Sequence, residues 1–347
     1  MPAAVEGPLP SLSVVVPTAR GGADLEACLE SLVAERYPTL EAVVVDDGSP
    51  APLTRLAARF PDVWVLRSET GLGFVGACTR GVAETSGELV LLLNDDTLLE
   101  PGSLHALVDA LVRRPSWGAC QAKLLLLDDP TLLDTAGSFL TATGFLLHRG
   151  ASESETRYQS SDEVFAAKGA ALLVRRRAFE EVGGLDPAYF AYFEETDLCW
   201  RLWLAGWEVG FAAEARIRHR LGSTASALPP ELVQFHSFKN RIRTLAKNLG
   251  PGRLAWMLPL HLALCLGLAA WWALHGRRPV AWSIPRAMGW NVVHLPGTLA
   301  LRASVQESRR VTDRELMPRI CRRVSFRTLA AYARTTPPAA RSEAGIG

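Results

Sequence analysis

The chain has 347 residues, enough for one or two domains, and its 48% hydrophobic and 21% charged content excludes a disordered or fibrous protein. Six scattered cysteines without a paired spacing argue against a zinc site or a disulfide framework and favour buried, reduced thiols. Residues 1–250 carry 23 Lys/Arg against 32 Asp/Glu, whereas residues 302–347 carry ten Arg against four acids. An acidic body followed by a basic, apolar end indicates contact with a membrane surface or with nucleic acid.

Short apolar runs bounded by turn-forming residues predict buried strands that alternate with helices over the first 112 residues. The strands are predicted at Ser11–Val16, Leu40–Val45, Val63–Arg67 and Glu88–Leu93. The helices are predicted at Asp24–Glu35, Thr54–Phe60, Val75–Glu84 and Pro101–Val112. This alternation gives right-handed βαβ units and a parallel sheet, so the predicted fold class is α/β.

Two of the predicted strands end in adjacent carboxylates, Asp46 with Asp47 and Asp95 with Asp96. Ligands of open α/β sheets bind outside the carboxyl ends of the strands, so the four acids converge on one crevice if the two strands are neighbours. Carboxylates at the first strand end can accept hydrogen bonds from a base or a ribose. Those at the second can hold Mg²⁺ or Mn²⁺ on a diphosphate, although a solvated acidic turn is the alternative for an isolated pair.

A glycine-rich segment places Gly71, Gly73 and Gly76 in a Gly-x-Gly-x-x-Gly pattern. The pattern follows the third predicted strand instead of the first, and no acid stands about 20 residues further on at a strand end. A dinucleotide phosphate loop is therefore disfavoured. A loop that needs positive φ near a bound nucleotide is the better interpretation.

Four segments follow one another as they do in family 2 glycosyltransferases, and the chain resembles the rhamnosyltransferase-like bacterial members that build cell-surface polysaccharide. These segments are Val14–Pro17, Val45–Ser49, Gly71–Gly81 and Leu91–Thr97. The resemblance covers residues 11–250 and implies the GT-A nucleotide-diphospho-sugar transferase fold, a Rossmann-like mixed sheet flanked by helices. It also implies an inverting enzyme whose donor is a nucleotide-diphosphate sugar, linked to dTDP, UDP or GDP.

The resemblance implies a role for individual residues of a donor site. Nucleotide-binding positions are expected at Pro17, Asp46, Asp47, Gly71 and Arg80. The donor sugar is expected beside Asp95, Gly169 and Glu194. A Mg²⁺ or Mn²⁺ cofactor is expected on Asp96 and on His219, which begins a His-x-x-Gly-Ser element.

The segment Tyr192–Arg201 resembles a family motif that usually reads Glu-Asp-x-Asp, whose second acid is the general base. That acid maps onto Glu195, which is one methylene longer than the usual aspartate, and Glu194 and Asp197 remain alternatives. An inverting transfer needs a carboxylate to take the proton of the acceptor hydroxyl as it attacks the anomeric carbon. The predicted catalytic residues are Glu195 and Asp197, although Asp197 could equally cap a helix.

The last third of the chain differs from the rest in its apolar and basic composition. Leu254–Leu274 has no charged residue and is long enough to cross a bilayer, but arginines on both sides give no clear crossing direction. We expect a cytoplasmic protein, peripheral or monotopic at the inner face of the cell membrane, with tryptophans at the interface. A buried helical subdomain or dimer surface is the alternative.

The predicted organisation is a tail at residues 1–10, a GT-A domain at 11–250, a helical membrane-associated extension at 251–334 and a disordered tail at 335–347. The predicted function is metal-dependent, inverting transfer of a sugar to a cell-surface polysaccharide or lipid-linked glycan, with no nucleic acid partner. Two alternatives remain, an inactive scaffold of this fold in a glycan-assembly complex and a nucleotidyltransferase on a similar sheet.

Overall fold

The computed structural model describes residues 9–51, 53–220 and 228–323, and these fall into two compact units. The first unit takes the described residues up to 139, together with 147–220 and 308–320. The second takes 140–146, 228–307 and 321–323. The predicted tail at 335–347, residues 1–8, and Gly222 and Ser223 of the His-x-x-Gly-Ser element lie outside the described residues.

The first unit begins with four strands joined by helices, as the sequence predicts. The strands are β1 (Leu12–Thr18), β2 (Leu40–Asp47), β3 (Val63–Ser68) and β4 (Leu89–Leu93). The helices are α1 (Ala23–Ala34), α2 (Thr54–Arg59), α3 (Gly73–Ala83) and α4 (Ser103–Val112). Every residue of β1 and β4 is buried, which is why both are nearly continuous apolar runs.

Shorter strands and two helices follow along the chain, most of them in the first unit, while residues 140–146 among them belong to the second unit. The further strands are β5 (Thr97–Leu99), β6 (Trp117–Leu126), β7 (Leu133–Thr135), β8 (Ser138–Thr141), β9 (Leu146–His148), β10 (Asp162–Glu163), β11 (Ala171–Arg175) and β12 (Glu208–His219). The helices are α5 (Arg176–Glu181) and α6 (Glu194–Leu204). The main sheet has the order β10-β12-β6-β11-β4-β1-β2-β3, with β5 paired to β12 and β7 paired to β6. It is mixed, because β11 runs antiparallel to both β4 and β6.

The two acidic strand ends lie on either side of β1. β2 and β4 both pair with β1 in parallel, so they are not direct neighbours and their ends are about 9–10 Å apart, two strand spacings. The chain runs outward from β1 to β2 and β3 and then returns to β4 on the other side of β1. A reversal of strand order is the point at which open α/β sheets bind ligands. The predicted crevice therefore lies at the carboxyl ends of β1 and β4.

The second unit is mainly helical. Its helices are α7 (Pro230–Asn248), α8 (Pro251–Leu274), α9 (Arg278–Val293) and α10 (Leu295–Glu307). Its core includes Phe145, Phe238, Cys265, Trp272 and Ile284. By length and composition alone, α8 could cross a membrane. The chain ends its described part with α11 (Asp313–Ile320) in the first unit and β13 (Cys321–Arg322), which pairs with β8.

Candidate active site

Asp46, near the end of β2, is fully buried and both of its carboxylate oxygens accept hydrogen bonds. The backbone N–H of Ser49 donates to Oδ1 at 2.8 Å, and Nη1 of Arg67 donates to Oδ2 at 2.6 Å. The β2–β3 register sets Arg67 directly opposite Asp46, which brings the two charges together. Arg80 joins the same cluster by donating to the Arg67 carbonyl at 3.1 Å. Sequence reasoning missed Arg67, because an arginine at a strand end belongs to no motif.

Asp47 occupies the N-terminus of α3. The backbone N–H groups of Leu72 and Gly73 donate to its two oxygens at 2.6 and 2.9 Å. A dinucleotide phosphate loop would use N–H groups at a helix start for phosphate, and here a carboxylate takes them. These contacts therefore argue against a dinucleotide phosphate loop in the glycine-rich segment.

The positive φ expected in the glycine-rich segment is present at Gly73, at +71°. A Cβ atom at this position would lie 2.4 Å from the ring of Phe190, so the close packing of that ring also requires glycine. Gly71, the predicted nucleotide-binding position, is exposed and has open space around its Cα. Pro17 is a buried residue of β1, next to the strand end.

Asp95 follows β4 and connects it to β1. Oγ1 of Thr18, the last residue of β1, donates to Asp95 Oδ2 at 2.5 Å across the point where the strand order reverses. Burial raises the pKa of the Asp95 carboxyl to about 6, and the adjacent charge of Asp96 acts in the same direction. The carboxyl thus lies in the crevice, in a poorly hydrated position.

Asp96 and His219, the two predicted metal ligands, are brought together by strand pairing. β5 starts directly after Asp96 and pairs with the end of β12, so that Thr97 lies opposite His219. The N–H of Arg220 donates to the Asp96 carbonyl at 3.0 Å. His219 Nε2 consequently lies 3.5 Å from Asp96 Oδ1, and both residues are buried.

A second carboxylate, Asp134 of β7, lies on the other side of the His219 ring. His219 Nδ1 donates to Asp134 Oδ2 at 2.8 Å, and Nζ of Lys168 donates to both oxygens of Asp134 at 2.7 Å. The Lys168 ammonium is the main group that holds the pKa of the buried Asp134 carboxyl well below its usual range. From the sequence, Asp134 is expected only as part of a segment, Asp134–His148, on the acceptor side, because nothing near it along the chain resembles a metal-site motif.

The residues present fit a divalent cation. A metal-ligating histidine commonly donates its other ring N–H to a carboxylate, as His219 does to Asp134. Among the described residues no group of three or more His, Cys, Asp or Glu side chains could hold a metal. Asp96 and His219 would therefore supply two ligands, and substrate phosphates and water the others, which is how Mg²⁺ is usually bound.

Glu194 and Glu195 form a carboxyl pair in the first turn of α6. Burial raises the pKa of Glu194 well above its usual range, and the charge of Glu195 raises it further. Burial also raises the pKa of Glu195, but a hydrogen bond from Glu194 and the charge of Lys168 act against the rise. Within the described residues, Glu194 Oε2 has no hydrogen-bond partner. Burial thus disfavours ionisation of both carboxyls, and the hydrogen bond from Glu194 and the charge of Lys168 favour the ionised form of Glu195.

The backbone before this pair is strained. Tyr192 and Phe193 both adopt left-handed conformations, with φ of 70° and 73°, and such residues cost about 1 kcal/mol or more each.

Gly169 lies beside the Glu194–Glu195 pair, because a Cβ there would be 3.8 Å from Glu194 Oε1 and 3.9 Å from Glu195 Cβ. Three residues predicted near the reacting sugar therefore meet at one place.

Asp197 is fully buried and forms an ion pair with Arg201. Its Oδ2 accepts a hydrogen bond from Nε of Arg201 at 2.9 Å, and Arg201 also donates to the carbonyls of Val182 and Gly184. This ion pair ties α6 to the loop that follows α5. The contacts are those of a residue that holds the helix in place.

The sequence predicts buried, reduced thiols, and five of the six cysteines are buried in the structure. All six are free, and only Cys321 is partly exposed.

The two arginines flanking His219 have acidic partners, since Arg218 donates to Glu100 at 2.9 Å and Arg220 donates to Asp24 at 3.2 Å.

Comparison with known proteins identifies the family. The family model described as "Glycosyltransferase like family 2" matches residues 10–244. The chain belongs to glycosyltransferase family 2. The family 2 assignment makes the protein a glycosyltransferase and disfavours both the scaffold and the nucleotidyltransferase alternatives.

Its curated relatives include a rhamnosyltransferase and an O-antigen biosynthesis protein. N-acetylglucosaminyl-diphospho-decaprenol L-rhamnosyltransferase of Mycobacterium tuberculosis is 28% identical over 323 residues, which cover 86% of this chain and 95% of the relative. O-antigen biosynthesis protein RfbC of Myxococcus xanthus is 27% identical over 234 residues, which cover 63% of this chain and 18% of that protein. The rhamnosyltransferase-like character read from the sequence is confirmed.

Solved structures confirm the GT-A fold. GalNAc-T7 with UDP, GalNAc and Mn²⁺ matches with a TM-score of 0.55 at 18% identity, over 69% of this chain and 48% of that chain. The mannosyltransferase PcManGT from Pyrobaculum calidifontis, in complex with GDP-Man and Mn²⁺, matches with a TM-score of 0.50 at 17% identity, over 86% of each chain. At these identities the likeness concerns the fold.

Proposed function

We propose that this glycosyltransferase moves a sugar from a nucleotide-diphosphate donor to a hydroxyl of a lipid-linked or polysaccharide acceptor, with inversion and with the help of Mg²⁺ or Mn²⁺. The observation that supports this most is the pairing of Asp96 with His219 at the carboxyl edge of a family 2 sheet, backed by Asp134. Buried carboxylate and imidazole groups in this arrangement suit a divalent ion that also binds phosphate oxygens.

The nucleotide would lie against the ends of β1, β2 and α3. Pro17, Asp46, Asp47, Gly71 and Arg80 are the residues we assign to it. Asp46 and Asp47 already accept hydrogen bonds from protein donors, so they would act mainly by shaping the site. The guanidinium of Arg67, whose side chain is 31% exposed, is an added candidate for contact with the nucleotide.

The divalent ion would be held by Asp96 and His219 and would offset the negative charge that develops on the leaving diphosphate. Asp95, Gly169 and Glu194 would surround the donor sugar. Glu194 Oε2 has no protein partner in the described part of the chain, and a sugar hydroxyl could hydrogen-bond to it.

Glu195 would act as the general base. Its carboxylate would take the proton of the acceptor hydroxyl while the oxygen forms a bond to the anomeric carbon and the bond from that carbon to the diphosphate breaks. The nucleoside diphosphate leaves with the electron pair, and attack from the opposite face inverts the anomeric centre. Asp197 would support this step indirectly, by holding α6 through Arg201.

A lipid-linked acceptor and a position at the inner face of the cell membrane fit the second unit. Of the fifteen exposed large hydrophobic side chains in the described residues, eleven lie on α8, α9 and α10. Residues 251–306 contain five arginines and no acid, which suits an anionic membrane surface. The Mycobacterium tuberculosis relative is named for a decaprenol-linked acceptor.

A thermal-shift screen tests the donor site. UDP, dTDP and GDP, and sugars linked to them, would be added to the full chain with and without Mn²⁺. We expect at least one nucleotide to raise the melting temperature, and to raise it more when Mn²⁺ is present, because ligands that bind only the folded protein stabilise it. If no nucleotide stabilises the protein in either condition, the proposed donor site is wrong.

A further inference from the structure

Asp134 makes an unusually complete set of contacts for a residue outside any recognised motif. Only 6% of it is exposed, His219 Nδ1 lies 2.8 Å from one oxygen, and the Lys168 ammonium lies 2.7 Å from both. An ionised carboxylate can only accept hydrogen bonds, so the proton on this side of the imidazole must belong to Nδ1. In the neutral ring, Nε2 then presents its lone pair toward Asp96.

The sheet builds this arrangement around β6. β7, β11 and β12 all pair with β6, and they bring in Asp134, the segment that starts at Lys168, and His219. The buried side chain of Gln121 on β6 links two of these segments. It accepts the backbone N–H of Lys168 at 2.7 Å and donates to the carbonyl of Thr135 at 3.1 Å. The separation of Lys168 and Asp134 is therefore set by the backbone.

We propose that Asp134, held in place by Lys168, is a positioning residue that orients the His219 imidazole so that Nε2 completes a divalent cation site with Asp96. This inference rests on the proposed function, because it assigns a support to the metal site of that reaction. Carboxylates that accept the second N–H of a metal-bound histidine typically contribute 10–100-fold to metal affinity. Asp134 itself would not touch the ion or the substrate.

The test compares Asp134→Asn with the unchanged chain. Free Mn²⁺ would be measured by electron paramagnetic resonance, in the presence of UDP and of dTDP. We expect Asp134→Asn to weaken Mn²⁺ binding about 10–100-fold, since the amide can donate to Nδ1 and turn a protonated Nε2 toward Asp96. Asp62→Asn, the same exchange in an exposed turn before β3, should leave the affinity unchanged.

A second readout needs no metal. In the metal-free chain at pH 8, nitrogen-15 spectra of the histidine rings report which ring nitrogen of His219 carries the proton. We expect the Nδ1–H form in the unchanged protein and its loss in Asp134→Asn. An Nε2–H form in the unchanged protein, or equal Mn²⁺ affinity in a folded Asp134→Asn variant, would overturn the proposal. If the unchanged protein binds no Mn²⁺ with either nucleotide but shows the Nδ1–H form, the proposed function fails instead.

Discussion

Glu194 and Glu195 are adjacent in the chain, yet their surroundings differ. Burial raises the pKa of both carboxyls, and raises that of Glu194, which is 6% exposed, well above the usual range. At Glu195, which is half-buried, a hydrogen bond from Glu194 and the Lys168 charge oppose the rise in pKa. Both lie at the N-terminus of α6, where the helix dipole favours negative charge. Adjacent carboxyls in different environments are a common arrangement for acid–base chemistry.

Replacement of Glu195 by Gln should reduce transfer about 10²–10⁴-fold, because the amide cannot take a proton from the acceptor hydroxyl. The rate of the unchanged enzyme should fall as the pH drops through the raised pKa of Glu195, since a protonated carboxyl is not a base. The pH dependence of kcat/KM, measured with a donor found in the nucleotide screen, checks both points. Full activity of Glu195→Gln would show that another group is the base.

At the scale of single residues, the sequence identified candidate acids but not the side chains that contact them. Asp96 and His219 could be named because each belongs to a recognisable segment. Arg67, Asp134 and Lys168 contact residues that are remote in the chain, and only the pairing of β2 with β3 and of β6 with its neighbours brings them there. A contact between remote residues leaves no local pattern to find.

Helix α6 is the element that presents the carboxyl pair, and a buried ion pair holds it. Arg201 is 6% exposed and links Asp197 to two carbonyls of the preceding loop. Two left-handed residues, Tyr192 and Phe193, set the direction in which the helix begins. The strain of that turn is tolerated because the ion pair and the packing of α6 determine the rest of the segment.

Replacement of Arg201 by Met should lower the free energy of unfolding by about 3–5 kcal/mol, because it leaves a buried carboxylate without its guanidinium partner. Urea denaturation followed by tryptophan fluorescence measures the change. Arg113→Met is the matched control, since Arg113 forms an exposed pair with Asp109 at the same i,i+4 spacing and should cost less than about 1 kcal/mol. Equal effects of the two substitutions would contradict a structural role for the Asp197–Arg201 pair.

Element positions were well predicted where apolar runs were long. The first four strands lie within two residues of their predicted bounds, because burial on both faces demands unbroken apolar residues. Helix α4 begins at Ser103 and not at Pro101, since Gly102 adopts a left-handed φ of 82° just before it. The sequence did not predict the short strands β7 to β10, because runs of two to four residues show too little hydrophobic periodicity.

The whole molecule combines an acidic unit, which carries the candidate active site, with a basic apolar one. Among the exposed side chains of the second unit, Leu274 is 85%, Val293 is 74% and Trp282 is 65% accessible. Exposure of such large apolar side chains to water is unfavourable compared with burial, and a membrane surface would cover them. The neighbouring arginines would meet anionic headgroups.

Trp282→Ser and Val293→Ser should each weaken binding to phosphatidylglycerol vesicles, about tenfold for a side chain worth ~1.5 kcal/mol of burial. Co-sedimentation of the full chain with the vesicles measures the affinity, and 1 M salt should reduce it by screening the arginines. Trp64→Ser removes a tryptophan that is 52% exposed in the first unit, and it should have no effect. Binding that survives both substitutions and high salt would argue against this membrane surface.

The sequence by itself determined the fold class, the order of the first strands and helices, and the family, because these depend on local apolar periodicity and on motifs read along the chain. It also located the acids at the strand ends. Only the tertiary structure decided that β1 separates β2 from β4, that Asp47 caps α3 and that Asp197 pairs with Arg201. Those outcomes depend on which remote segments become neighbours, and neither local periodicity nor a motif specifies that.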